Sequence, residues 1–283
     1  MTPLNLGTYA QNTWCPGCGD FAIMNAMKAV LQDMPGAGTP LENVVLVSGI
    51  GCHAKIVDYI NVNSFYSIHG RTIPPAEAIK LARKDLKVIV FSGDGDSYGE
   101  GLEHLIFAAK RNIDITVIIH NNRVYGLTTG QYTPTSPLGF RGRSTPQGTK
   151  ERPFNPLELM LASGATFIGR GTSHGIDLLK QLFREAIAHK GFSLIDVLQV
   201  CVTYYNMYEY YDKRVYELKG HDPAHYEQAL NKIREWDYNS DAPISLGVLY
   251  KKEAPAFEEG FSGPPEQAQG RQDKIANFLQ DAI

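Results

Sequence analysis

The sequence predicts an α/β protein built around one doubly wound, mostly parallel sheet, and three features carry that prediction. Short apolar, β-branched runs recur at residues 43–48, 88–91, 115–119 and 193–200, the pattern of strands buried on both faces. Segments of helical period lie between them, as at residues 100–110, where Leu102, Leu105, Ile106 and Ala109 share one side. Glycines, carboxylates, amides and thiols follow directly after the strand runs, at the edge where open parallel sheets bind ligands.

At 283 residues the chain can bury one large α/β core, or two small ones. With 43% hydrophobic and 20% charged residues it is ordinary globular material, which excludes disorder and coiled coil. A net charge of −3 argues against a nucleic-acid groove. No apolar run approaches the ~18–20 residues needed to span a bilayer. The first residues, MTPLNLGTYAQNTW, have neither the basic nor the apolar region of a secretory signal, so a cytoplasmic location is expected. In that compartment a disulfide framework is not expected for Cys15, Cys18, Cys52 and Cys201.

Residues 1–12 have the character of an extended arm. Pro16 and two glycines make residues 15–19 a loop, and Asp20 is placed to cap a helix whose apolar face is Phe21, Met24, Met27, Val30 and Leu31. Cys15-x-x-Cys18 before a helix has three readings: a redox pair, a zinc half-site, or half of an iron–sulfur site. The strand run at 43–48 ends in Gly49-Ile50-Gly51-Cys52, and the run at 193–200 ends in Cys201. All four cysteines thus lie in or beside loops. Four thiolates suit a site with all-cysteine ligation, and ligand count alone leaves zinc and a 4Fe–4S cluster equal.

The run at 88–91 is broken by Gly93-Asp94-Gly95-Asp96, and the run at 115–119 leads into His120-Asn121-Asn122. Asp94 and Asn122, 28 positions apart, would project from one carboxyl edge of a right-handed βαβ unit. A carboxylate, an amide and a backbone carbonyl are the ligands a hard cation takes when it also holds phosphates, and glycines let the chain approach those phosphates. The helix N-terminus near residues 98–100 would add amides and its dipole. Residues 69–72 (HGRT) precede a helix with Pro74 or Pro75 in its first turn. Residues 128–153 form a long aperiodic stretch, in which 130–136 suit an active-site wall and 141–152 a mobile or partner-contacting segment. Helices are expected after Asn155-Pro156, closed by Gly164, and over 173–189. From 206 onward the chain is tyrosine-rich and charged, with a helix at 223–236, a strand run at 244–250 and a polar tail containing Gly-Pro-Pro.

GDGD followed by IIHNN at this separation resembles the thiamine diphosphate motif of thiamine-dependent enzymes. The longer string NNRVYGLTTGQYTPTSP resembles the β subunit of a 2-oxoacid:ferredoxin oxidoreductase, most like the 2-oxoglutarate branch, over residues 12–206. The resemblance implies a thiamine-diphosphate-binding domain of the PP type over 1–205, with 206–283 as an extension packing on a partner. It implies that Asp94, Asn122 and the Val124 carbonyl bind Mg2+, and that Gly93, Gly95, Asp96, Gly126, Leu127 and Thr128 lie along the diphosphate. WCPGCG, IGC and CVT match the family's ligands to a 4Fe–4S cluster, which makes Cys15, Cys18, Cys52 and Cys201 its ligands. Lys55 and Arg71 would bind anions, and His69 would contact the cofactor or transfer a proton. One departure stands out: the fourth cysteine usually follows Ser-Pro in this branch, and here it follows Gln199-Val200.

The implied activity is decarboxylation of a 2-oxoacid on thiamine diphosphate, with electrons leaving through the cluster to ferredoxin and the acyl group leaving on coenzyme A, or the reverse as a CO2-fixing synthase. For 2-oxoglutarate the product is succinyl-CoA. The competing readings are a non-oxidative thiamine-dependent decarboxylase or synthase with structural zinc, an oxidoreductase for pyruvate or branched-chain 2-oxoacids, and a metal-stabilised scaffold without chemistry. Thiamine enzymes use a glutamate from a second α/β domain, for which this chain has no room. A partner α chain (or fused γ/α chain) would supply it, in an (αβ)2 hetero-oligomer.

Overall fold

The computed structural model describes residues 4–261 and, further on, Gly270, Asp273, Lys274, Asn277 and Gln280; the expected Gly-Pro-Pro tail lies outside the described residues. The strands are β1 (Val44–Ser48), β2 (Asn63–Tyr66), β3 (Lys87–Gly93), β4 (Thr116–Asn121), β5 (Val124–Tyr125), β6 (Gln131–Tyr132), β7 (Phe167–Thr172), β8 (Ser193–Leu198), β9 (Val215–Glu217) and β10 (Ile244–Lys251). The α-helices are α1 (Asp20–Asp33), α2 (Ile56–Tyr59), α3 (Ile73–Ala82), α4 (Leu102–Arg111), α5 (Pro156–Ala162), α6 (Ile176–Ala188), α7 (Tyr208–Asp212) and α8 (Tyr226–Arg234).

Eight strands form one sheet in the order β2-β1-β3-β4-β8-β7-β10-β9. The six from β2 to β7 run parallel, whereas β10 pairs antiparallel with β7. From β1 the chain runs outward to β2 and then returns to the other side as β3, so the strand order reverses between β1 and β3. In sheets of this kind that reversal opens a crevice at the carboxyl ends of the two strands. Every residue of β4, β7 and β8 is buried, as both-face coverage requires. One face is covered by α1, α2 and α6, through Ile23, Met27, Leu182 and Phe183. The other is covered by α3, α4, α5 and α8, through Ala76, Leu105, Met160 and Ile233. The doubly wound sheet expected from the strand runs is the architecture present.

Several local expectations change. Gly19, not Asp20, occupies the N-cap of α1; Asp20 is the first helical residue, fully buried, and its side chain makes no cap. The helical turn after β3 begins at once, as a wide π-turn over Gly95–Glu100 closed by Gly101 N donating to Asp96 O (2.9 Å), so no helix starts near residue 98. Strands β2 and β7 have no counterpart in the sequence expectation. β2 (NSFY) is an exposed edge strand without an apolar run, and β7 (FIGRGT) is interrupted by two glycines and an arginine.

The segment after residue 206 also packs within this chain. Trp236 and Tyr238 are fully buried with Ile244 and Leu246 against Leu198 and Val200. The Tyr238 ring lies 4.3 Å from that of Trp236, and the buried guanidinium carbons of Arg123 and Arg170 lie 5.4 and 5.7 Å from the Trp236 ring centre. Trp236→Ala should therefore lower unfolding stability by about 3–5 kcal/mol in denaturant titration of the isolated chain. A loss under about 1 kcal/mol would mean that this segment contributes little to the fold.

Candidate active site

At the β1/β3 crevice, a cleft of about 60 Å³ is lined by residues that follow β1, β3 and β4, among them Gly51, Cys52, Gly93, Asp94, Asn122 and Gly126. The register places them together: Ser48 lies beside Phe91, and Gly93 beside His120. Asp94 is buried at the end of β3, and its Oδ2 accepts hydrogen bonds from Thr133 Oγ1 (2.5 Å) and Thr135 Oγ1 (2.7 Å). Burial pushes the Asp94 carboxyl up to about 6, against the pull of these two hydroxyls. Arg123 takes a left-handed φ of 61°, and the turn lets Asn122 Oδ1 accept from Val124 N at 3.0 Å. Val124 then opens the small hairpin of β5 and β6.

Asp96, two residues on, is a hub. Its carboxylate accepts from Gly70 N (2.5 Å), Ser92 Oγ (2.9 Å) and Thr72 Oγ1 (3.1 Å), with His53 Nε2 at 3.2 Å. Burial opposes its charge, but the His53 and Gly70 contacts outweigh it and hold the carboxyl below its usual range. Two glycines make room for these side chains: a Cβ on Gly49 would overlap the Asp96 carboxylate, and one on Gly93 would come within 2.9 Å of His53 Nδ1. At the mouth, His69 Nδ1 sits 3.5 Å from Asp96 Oδ1 and 3.4 Å from Glu100 Oε2. The Tyr125 ring covers Gly95, and its hydroxyl donates to Glu100 at 3.1 Å.

A second cavity, of about 190 Å³, adjoins the cleft and is lined by Cys15, Cys18, Cys52 and Cys201. The two share Cys52, Asn122, Gly126 and Leu127. A Cβ on Gly126 would lie 3.6 Å from the sulfurs of both Cys52 and Cys201, so this glycine borders the space the thiols face. Among the described residues no group of three or more His, Cys, Asp or Glu side chains could hold a metal ion; the sulfurs surround a cavity instead of meeting at a point. Burial, then the neighbouring Asp20 carboxylate, pushes the Cys52 thiol up to about 12 and Cys18 further in the same direction. Trp14 Nε1 donates to Cys52 O (2.7 Å), and Gln199 Nε2 to Cys18 Sγ (3.4 Å).

Most of the sequence-predicted site residues converge here. His69, Gly93, Asp94, Gly95, Asp96, Asn122, Val124, Gly126, Leu127 and Thr128 line the cleft, and the four cysteines line the adjoining cavity. Lys55 lies on the wall of the cysteine cavity, donating to Thr13 Oγ1 at 3.0 Å. Arg71 lines neither; its Nη1 donates to the carbonyls of Gly70 (3.0 Å) and Glu100 (3.1 Å). Sequence reasoning missed His53, Thr133 and Thr135, although the last two fall in the stretch it assigned to the active-site wall. It also missed the buried pair of His120 Nδ1 and Asp20 Oδ1 at 2.7 Å. Burial outweighs Asp20 and holds His120 below the usual imidazole range.

The donor set fits the expected groups: oxygen donors and a glycine-walled cleft for a magnesium diphosphate, and four thiols around a cavity of about 190 Å³ for a cluster. A carboxyl raised on folding contributes stability below its unfolded pKa and loses it as pH rises through about 6. Asp94→Asn should therefore raise the melting temperature of the cofactor-free chain by several degrees at pH 8, from roughly 2–3 kcal/mol, and little at pH 4. The same variant should lose the melting-temperature rise that magnesium and thiamine diphosphate give the wild type. An unchanged rise would show that Asp94 does not hold the metal.

The chain matches the family model "Thiamine pyrophosphate enzyme, C-terminal TPP binding domain" over residues 49–197, and the C-terminal family model of the pyruvate ferredoxin oxidoreductase beta subunit over residues 201–264. It is 45% identical over 256 residues to the 2-oxoacid:ferredoxin oxidoreductase subunit beta of Saccharolobus solfataricus, covering 86% of this chain and 82% of that one. It is 46% identical over 188 residues to the 2-oxoglutarate oxidoreductase subunit KorB of Mycobacterium tuberculosis, covering 66% of this chain and 50% of the relative. Its fold matches that of the 2-oxoglutarate:ferredoxin oxidoreductase from Magnetococcus marinus, a structure with 2-oxoglutarate, coenzyme A and succinyl-CoA bound. The TM-score is 0.87 at 29% identity, over 98% of this chain and 96% of that one. With the thiamine-type cleft and the adjoining thiols on one sheet edge, the chain belongs to the β subunits of the 2-oxoacid:ferredoxin oxidoreductases.

Proposed function

We propose that this chain carries the diphosphate half of a thiamine site and a 4Fe–4S cluster in an enzyme that oxidatively decarboxylates 2-oxoglutarate, with coenzyme A as acyl acceptor and ferredoxin as electron acceptor. The observation that supports this reading best is the shared wall of the two cavities, formed by Cys52, Asn122, Gly126 and Leu127. Bound thiamine diphosphate supplies a carbon nucleophile and an electron sink for the 2-oxoacid, and the cluster accepts electrons singly.

The residues of the chain have the following parts in this reading. Asp94, Asn122 and the carbonyl of Val124 hold the magnesium, while Gly93–Asp96 and 126–128 run along the phosphates. The hydroxyls of Thr133 and Thr135 orient the Asp94 carboxylate through one oxygen. Carboxylates only accept, so His69 Nδ1, within 3.5 Å of two of them, is a donor nitrogen at the mouth of the cleft. Lys55 supplies a positive charge beside Cys52, where it favours the thiolate. The exposed Ile50, Ile68 and Leu127 around the mouth suit a covering partner chain that brings the pyrimidine-binding glutamate. Residues 206–283 are read as the extension that meets that chain, with Tyr226 and Phe261 exposed on it. Among the described residues no helix is long and apolar enough to cross a membrane.

Purified with its partner chain, the protein should contain iron and acid-labile sulfide, and its cluster should be reduced by 2-oxoglutarate at least about tenfold faster than by pyruvate or a branched 2-oxoacid. Zinc without sulfide would replace this reading by the non-oxidative one, and faster reduction by pyruvate would reassign the substrate. Cys52→Ser should abolish ferredoxin reduction and leave thiamine diphosphate affinity within a few-fold. Equal loss of both would mean that the cluster serves the fold alone. Full turnover by this chain without a partner would exclude the shared thiamine site.

A further inference from the structure

We propose that the side-chain amide of Gln199 tunes the group held by the four cysteines, raising its reduction potential by donating an N–H to the sulfur of Cys18. This rests on the reading of those cysteines as ligands of an iron–sulfur cluster. Gln199 follows the last residue of β8, its backbone N donates to Asn121 O on the neighbouring strand (3.1 Å), and its side chain is buried. Nε2 lies 2.8 Å from Val200 O and 3.4 Å from Cys18 Sγ. A backbone carbonyl only accepts, so the short contact to Val200 fixes which end of the amide is nitrogen and leaves its second N–H for the sulfur. No other N–H among the described residues is donated to a cysteine sulfur.

The surroundings hold the amide in that pose. A Cβ on Gly19 would come within 3.0 Å of Gln199 Cγ and 2.8 Å of Val200 N, so the glycine after Cys18 gives the side chain its seat. The Oε1 atom is buried without a partner, so the hydrogen bonds that hold the amide run through its NH2. The carboxylate Oδ2 of Asp20 stands 3.3 Å from the same sulfur and acts in the opposite sense, disfavouring added negative charge. An N–H aimed at a ligand sulfur stabilises the more negative, reduced state and so raises the potential. Gln199 is thus a tuning residue that acts through Cys18, without touching the 2-oxoacid or thiamine site.

The test is a redox titration of the intact hetero-oligomer, followed by EPR of the reduced cluster, for wild type and Gln199→Met. A lower midpoint in the variant, at unchanged iron and sulfide content, is the expected result; an equal midpoint overturns the proposal. Where the variant fails to load, wild-type protein grown on glutamine with a 15N side-chain amide answers the same question. Pulsed EPR should then show hyperfine coupling of one amide nitrogen to the reduced cluster, and its absence overturns the proposal. Protein without iron and sulfide would overturn the cluster reading itself, an outcome that the metal analysis separates from an unshifted midpoint.

Discussion

Parallel hydrogen bonding among β1, β3, β4 and β8 is the constraint from which the rest of the molecule follows. In a parallel ladder neighbouring strands end on the same side, and the register then decides which residues become neighbours. Gly93 beside His120, and Asn121 beside Leu198, bring Asp94, Asn122 and Cys201 to one edge although they lie far apart in sequence. A slip of one residue in any of these pairs would turn a cleft residue into the core and an apolar side chain into the cleft.

Beneath that edge the protein keeps charges where water cannot reach. Asp196 accepts from Asn121 Nδ2 (3.0 Å), Tyr98 OH (3.1 Å) and Tyr238 OH (2.6 Å), and Asn121 Oδ1 lies 3.0 Å from the Thr135 hydroxyl that also reaches Asp94. Burial raises the Asp196 carboxyl, while Tyr238 and Arg170 pull it back. Arg123 donates from the opposite side, to the carbonyls of Thr135 (2.8 Å) and Tyr238. The C-terminal segment is therefore wired to the loop of Asn122 and Thr135 through Tyr238, and its packing bears on the geometry of Asp94 as well as on stability.

The parts of this arrangement that sequence revealed were those with a local signature. The four central strands are continuous β-branched runs, and Asp94, Asn122 and the cysteines follow directly from them. What stayed hidden depends on long-range packing. β7 is masked by Gly169, Arg170 and Gly171, because the arginine is accommodated in the core over the rings of Trp236 and Tyr238, which come from a distant segment. Asp20 has the sequence position of a helix cap, yet Cys18, His120 and the core claim its carboxylate. For Arg71 the fold adds contacts no spacing rule gives, with Nη1 donating to the carbonyls of Gly70 and Glu100. Thr133 and Thr135 lie in an aperiodic stretch whose direction back to Asp94 no spacing rule gives.

Gly126 belongs to two linings at once, and this has an evolutionary consequence. The space beside it is at once a wall of the Asp94–Asn122 cleft and a wall of the thiol cavity. A methyl group added there would stand in van der Waals contact with the Cys52 and Cys201 sulfurs at 3.6 Å and with Asn122 Nδ2 at 4.0 Å, so a substitution at this position touches both linings. The two cavities are therefore not free to vary independently at this residue.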